Sequence, residues 1–259
     1  HKRLYIVYYY TWIEWLYKYI MNKKKINCIL ILGLNNTGKK IIHKLKKDKA
    51  KVIVVRKKIN LDLVKRHKPE VIFSLGYRHK IAKQVFTYPK YGCYNIHKSL
   101  LPLNKGANPV FWTILNNSPA GISIHKVTNK IDAGPIVAQK RIDYNFSYTA
   151  DKLYAKLEKE QITQFFQFWN KFKKSKISYK KKPTFKSSYH RKKNFLDFIN
   201  LKEVKEKNLS KVINFLRAAT FAPFQNVKLK KGKNTYNVEI MIKKINKSKK
   251  INFGLIKSY

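Results

Sequence analysis

From residue 26 onward, short apolar runs alternate with polar stretches of helical period. The run INCILILGL (26–34) is continuously apolar, the pattern of a strand covered on both faces. LNNTGKK turns into a short amphipathic helix expected at 39–46. AKVIVV (50–55) is a second strand, LDLVKRHK (61–68) a short helix or turn, and PEVIFSLGY (69–77) a third strand. Strands separated by helical segments predict parallel pairing in an open α/β sheet. Further on, PIVAQKRIDY (135–144) reads as a strand. Thr149 is placed to cap a helix with Asp151 in its first turn. In that helix Leu153, Leu157, Ile162, Phe165, Phe168 or Trp169, and Phe172 recur at helical spacing and predict a face packed on the sheet.

Beyond about 175–183 the pattern changes. LSKVINFLRAATFAPF (209–224) predicts an amphipathic helix with Ser210 as its cap and Pro223 ending it, and VKLKKGKNTYNVEIMI (227–242) predicts a hairpin around Gly232. The expected organisation is a leading segment of undetermined role (1–20), an α/β domain with an open Rossmann-like, mostly parallel sheet and flanking helices (21–182), and a small C-terminal subdomain of helix and β-hairpin (183–259). Residues 1–20 are aromatic and apolar, but Glu14 and Lys18 interrupt them, which argues against a membrane span.

Composition changes this picture little. In 259 residues, 44% hydrophobic and 14% aromatic, there is ample core material, which excludes a disordered protein. Charge is more pointed: 58 Lys and Arg face 13 acids, a formal +45. Such a field attracts polyanions. Yet only seven of the 58 are arginines, and Asn, Ile and Tyr are abundant too, so A/T-rich codon usage is the weightier cause. Phosphate recognition by bidentate contact would favour Arg. The two cysteines, Cys28 and Cys93, have no metal-ligand or disulfide spacing, which points to a reducing, cytoplasmic compartment. Gly33, Gly38 and Lys39 have phosphate-loop spacing, but Lys40 occupies the magnesium-binding hydroxyl position; a glycine turn that lets the helix approach the sheet is the better reading.

The candidate chemistry lies between 91 and 134, YGCYNIHKSLLPLNKGANPVFWTILNNSPAGISIHKVTNKIDAG. On a strand, Asn95 and His97 project to the same side. A loop broken by Gly106 and two prolines follows, and Asp132 stands in a glycine turn 35 residues after His97. An imidazole that accepts a proton, an amide that donates to an oxyanion and a carboxylate that orients the imidazole would make an acyl-transfer site. Taken one at a time, each has an ordinary structural role: a satisfied histidine, a strand-end cap, a turn aspartate.

In order, Asn95-Ile96-His97, Ser99-Leu100-Leu101-Pro102, Lys105-Gly106, Gly121, His125, Asp132-Ala133-Gly134, Ile136 and Gln139 resemble the formyltransferase family, whose members use a folate-borne formyl group. The resemblance implies that Asn95, His97 and Asp132 are the catalytic trio, with 10-formyltetrahydrofolate as donor, a primary amine as acceptor, a tetrahedral intermediate and no metal. It implies that Leu75, Tyr77, Ile81 and Ile131 line the folate cleft. Arg78 would meet substrate phosphates or be a solvated loop charge; Lys105 would face the substrate; Arg217 and Phe224 would touch a nucleotide or pack the helix end. Lys105-Gly106-Ala107-Asn108-Pro109 with Trp112 is most similar to the branch acting on nucleotide-linked amino sugars, with dTDP as the expected carrier and a homodimer common. Methionyl-tRNA is the runner-up acceptor, and a non-enzymatic RNA-binding protein on the same fold is a further alternative.

Overall fold

Ile29 and Ile31 of strand β1 (Cys28–Leu32) join one apolar cluster, and Leu30 and Leu32 join a second on the other face. The unbroken apolar run is what a strand covered on both sides requires. The computed structural model describes residues 24–179, 186–199 and 208–244; the leading segment 1–20 and part of the boundary near 175–183 lie outside them. After β1 come α1 (Asn36–Lys47), β2 (Lys51–Val55), α2 (Leu61–His67), β3 (Val71–Ser74), α3 (Lys83–Phe86) and β4 (Cys93–His97). Then follow β5 (Lys105–Gly106), α4 (Pro109–Leu115), β6 (Ala120–Lys126), β7 (Ile136–Ile142) and α5 (Ala150–Lys173).

The main sheet has the order β2-β1-β3-β4-β6-β7. The first four strands run parallel, and β6 and β7 add antiparallel, giving the mostly parallel α/β sheet expected. Chain order reverses around β1 and β3, and in open α/β sheets ligands gather beyond the carboxyl ends of the strands near such a point. Helix α5 covers one face. Leu153, Leu157, Phe165, Phe168, Trp169 and Phe172 are buried, with the Phe73 ring edge-on to Phe165 at 5.2 Å. Ile162 is only half-buried; Gln161 and Gln164 are buried on that helix instead, and Gln164 Nε2 donates to the Ile122 carbonyl.

Two helix starts differ from expectation because another residue caps the helix, and at a third Thr149 holds the expected N-cap position but its hydroxyl bonds elsewhere. Helix α1 begins at Asn36 rather than 39, since the Asn35 side chain accepts from the Gly38 N–H. The Thr149 hydroxyl donates to the Asp151 carboxylate instead of accepting a backbone N–H. In the C-terminal part, α6 (Lys192–Ile199) is followed by α7 (Leu209–Ala219), capped by Asn208 and not Ser210. Gly33 has φ +81, and a Cβ there would come within 2.9 Å of the Leu75 carbonyl and the Tyr77 N–H, so the first glycine serves close approach of two strand ends.

Beyond α5 the two-residue strand β8 (Tyr189–His190) pairs in parallel with β5, and β9 (Lys228–Lys231) and β10 (Asn234–Asn237) form the expected hairpin. Helix α7 joins the main core through Phe215, Ala218 and Ala219. Arg217 is fully buried there; it donates to the carbonyls of Tyr148 and Asn145 and to Asn214 Oδ1, which makes it a packing and tethering residue. Among the described residues, no helix is long and apolar enough to cross a membrane.

Candidate active site

The two-residue period of β4 puts Asn95 and His97 on the side opposite Tyr94 and Ile96, whose side chains go into the core under α5. Cross-strand pairing then sets Ser74 beside Asn95 on β3 and His125 beside it on β6. Asp132 arrives from the β6–β7 turn with φ +47, in the left-handed region. Gly134 closes that turn, where any Cβ would collide with the Lys126 carbonyl.

These side chains meet on one carboxylate. Asp132 Oδ1 accepts from Asn95 Nδ2 at 3.1 Å and lies 3.3 Å from His125 Nε2. Asp132 Oδ2 accepts the Gly106 N–H at 2.8 Å and lies 3.6 Å from His97 Nδ1. The other nitrogen of His97, Nε2, is 2.9 Å from the Asn104 carbonyl. His125 Nδ1 sits 3.1 Å from the Lys126 carbonyl, and its Nε2 stands 3.3 Å from both Asn95 Nδ2 and Asp132 Oδ1; protonated at Nε2 it donates to the carboxylate, and unprotonated there it accepts from Asn95. Asn95 Nδ2 thus donates to Asp132, with the His125 ring beside it. Burial alone would raise the Asp132 carboxyl; the neighbouring His97, the hydrogen bond and charge of His125 and the Gly106 N–H outweigh it and hold the group well below the ordinary carboxylate range.

The loop between β4 and α4 is pinned from beneath. Ser123 Oγ donates to the Ser99 carbonyl and accepts the Leu101 N–H, and Gln139 Nε2 bridges the Leu101 carbonyl and Ser123 Oγ. Gln139 and His125 belong to the ordered resemblance, and their position on strands paired outward from β4 is the signal that locates them at the site. On the opposite side of β4, Lys98 reaches the Tyr154 hydroxyl at 3.2 Å, with Glu158 at 4.0 Å. Burial pulls its ammonium down to about 8 against the partial support of Glu158.

The expected ligand-lining residues are spread more widely. Leu75 is fully buried in the core, so it packs beneath the strand ends and presents no surface. The Tyr77 hydroxyl donates to the Lys57 carbonyl and accepts the Ile59 N–H, which turns the ring toward the loop after β2. Ile81, like Tyr77, is half-buried against the second apolar cluster, and Ile131 is exposed next to Asp132. Arg78 is exposed near Tyr154, whose titration it influences. Lys105 is half-buried on β5. Phe224 is exposed with its ring tilted against that of Phe221 at 6.0 Å, and Phe221 in turn meets Tyr154 edge-on. A cavity of about 740 Å³ lies elsewhere, between α1 and the end of β2, lined by Leu34, Lys39, Ile42, Arg56 and Lys57 among others; none of the trio borders it.

A carboxylate bound by one amide and flanked by two imidazoles, beside a buried ring whose nitrogen approaches a backbone carbonyl, can support proton transfer and hold a developing negative charge. Among the described residues no group of three or more His, Cys, Asp and Glu is arranged to hold a metal ion.

The formyl transferase family matches residues 21–167. Methionyl-tRNA formyltransferase from Thermotoga maritima is 32% identical over 136 residues, which are 52% of this chain and 44% of that protein. The chain thus spans less than half of that relative's length. Among solved structures, the formyltransferase PseJ from Anoxybacillus kamchatkensis, in complex with UDP-4,6-dideoxy-4-formamido-L-AltNAc and tetrahydrofolate, superposes with a TM-score of 0.63 at 27% identity, covering 73% of this chain and 99% of that one. A 4-N formyltransferase from Francisella tularensis superposes at 0.70 with 22% identity over 85% of this chain and 99% of its own, a likeness of fold.

Proposed function

We propose that this chain, which belongs to the formyl transferase family, moves a formyl group from 10-formyltetrahydrofolate to the primary amine of a nucleotide-linked amino-deoxysugar, with dTDP as carrier. The observation that carries the reading is the convergence of Asn95, His97 and Asp132 at the carboxyl end of the parallel strands. His97 takes the proton that the amine must lose as the new C–N bond forms. An amide N–H of Asn95, released from Asp132 or His125, donates to the oxyanion of the tetrahedral intermediate. Asp132 balances the imidazolium charge and supports proton movement toward the departing folate nitrogen.

In this reading Ile131, adjacent to Asp132 in the chain, together with Ile81 and Tyr77 would give apolar surface to the pterin, and Arg78 and Lys105 would give cations to the phosphates. The sugar acceptor is favoured by the Lys105–Pro109 run with Trp112, and by the nucleotide sugar and tetrahydrofolate in PseJ. Methionyl-tRNA is the second reading, favoured by the identity to the Thermotoga protein and the formal charge of +45.

The test is an acceptor screen read by product mass. With 10-formyltetrahydrofolate, a dTDP-4-amino-4,6-dideoxyhexose should gain one formyl group. Formylation of methionyl-tRNA and of no amino sugar would replace the first reading by the second. No formylated product from either class would refute both.

A further inference from the structure

The geometry points to Asn104 and Ser188 as positioning residues that decide which nitrogen of His97 is basic. They hold the Asn104 carbonyl against Nε2, so that Nε2 carries the resting proton and Nδ1 is the atom that takes up another. The functional consequence rests on the reading of His97 as a base; the tautomer itself does not.

An imidazole nitrogen and a carbonyl oxygen 2.9 Å apart need a hydrogen between them, because two lone pairs would repel at that separation. Nδ1 has no such partner. Its distance of 3.6 Å to Asp132 Oδ2 is beyond a hydrogen bond, so the carboxylate does not hold a proton on Nδ1 in the resting site. Once Nδ1 gains a proton, the same carboxylate faces a charged N–H. His125, across that carboxylate, is the other titratable group at the site.

The Asn104 carbonyl is fixed by unusual means. Asn104 is buried with φ +51, a conformation asparagine tolerates better than most residues. Its Nδ2 donates to Thr113 Oγ1 at 3.0 Å and to Ser118 Oγ at 3.1 Å. Its backbone N–H donates to Ser188 Oγ at 2.7 Å, and the same hydroxyl donates back to Asn104 Oδ1 at 3.3 Å. Around this pair, the Ser188 N–H reaches the Pro102 carbonyl, the Lys105 N–H reaches the Ser188 carbonyl and the Ala107 N–H reaches the His190 carbonyl. The His190 ring stacks on Trp112 with centroids 4.0 Å apart. Strand β8 lies outside the stretch matched by the family, yet it closes on the loop that seats His97. The site is therefore completed by chain 84 residues away from Asn104.

Histidine labelled with ¹⁵N reports the tautomer directly through two-bond ¹H–¹⁵N correlations, with the His97 signals identified by their loss in His97→Gln. Wild-type protein should show His97 protonated at Nε2. Ser188→Ala, which leaves two buried groups of Asn104 unpaired, should move His97 toward a mixture of tautomers. It should also lower kcat about tenfold to a hundredfold at unchanged KM, the size expected when a base is misplaced. Ser188→Thr, which keeps the hydroxyl, should restore both. Asn104→Gly keeps the left-handed backbone and the carbonyl but removes the amide clasp, and should repeat the Ser188→Ala result. A wild-type His97 protonated at Nδ1, or a folded Ser188→Ala protein with the Nε2–H pattern intact, overturns the proposal. Because the spectra need no turnover, an enzyme inactive on every acceptor but with a Ser188-dependent tautomer would sink the formyl-transfer reading and leave the clasp standing.

Discussion

Replacing Asp132 by Asn tests the site with least disturbance to its scaffold. At φ +47 the backbone favours Asn or Gly, so Asp132→Asn removes the charge without straining the turn. The variant's single carbonyl oxygen can keep either the Gly106 N–H or the Asn95 amide, and its own NH₂ must face the other donor. A hydrogen bond to a charged group is worth about 1.5–3 kcal/mol, so losing one carries that cost. The larger effect concerns the protonated state of His97, whose Nδ1 stands 3.6 Å from the carboxylate. With an effective dielectric near 20, an ion pair at about that distance is worth roughly 4–5 kcal/mol. Solvent and the remaining amide dipole offset part of it, leaving about 3–4 kcal/mol, or roughly 10²–10³-fold in kcat. Folding stability should fall as well at pH 7, since the partners of the carboxylate outweigh the desolvation that opposes its charge. pH gives a second readout. A carboxyl held below its ordinary value contributes stability above about pH 4 and loses it as the pH falls, so the stability advantage of wild type over the variant should shrink on acidification below about pH 4. Formyl transfer is followed by product mass, and stability by urea denaturation at pH 7 and pH 3. A folded variant turning over within about fivefold of wild type would refute the role given to Asp132.

Two other substitutions probe the frame. Gly106→Ala puts a Cβ into the His190 carbonyl at a residue with φ +89, so it should break the β5–β8 pairing, cost about 2–4 kcal/mol and lower the melting temperature; an unchanged melting temperature would remove that pairing from the account. Lys98→Met removes a buried ammonium pulled down to about 8 from 10.5. Between those pH values the folded protein holds fewer protons than the unfolded chain, so wild-type stability relative to the variant should rise with pH by up to about 3 kcal/mol; a flat difference across that window would contradict the burial of the charge.

What the sequence made legible followed from repetition. Apolar runs read as strands because two covered faces demand apolar residues at every position, and the alternation of β1 between two clusters shows that demand being met. The side shared by Asn95 and His97 followed from a two-residue period. Caps were harder, since several asparagines and serines compete for each helix start and the winner depends on one N–H: Asn35 over later residues, Asn208 over Ser210. Leu75 illustrates the limit of an ordered resemblance. Lying in the expected stretch does not say whether a side chain faces the crevice or the core, and this one faces the core. The deepest gap concerns His97 itself. Its closest partner is a backbone carbonyl, which every residue carries, so no residue type announces it. Ser188 and Asn104 hold that carbonyl from 84 positions apart, with no period linking them. Where the contact does mark the chain is Gly106. A side chain there would strike the strand that brings Ser188 in, and its bare N–H goes to Asp132. One glycine thus serves both the clasp behind the imidazole and the carboxylate in front of it, and a sequence shows that it is needed without showing why.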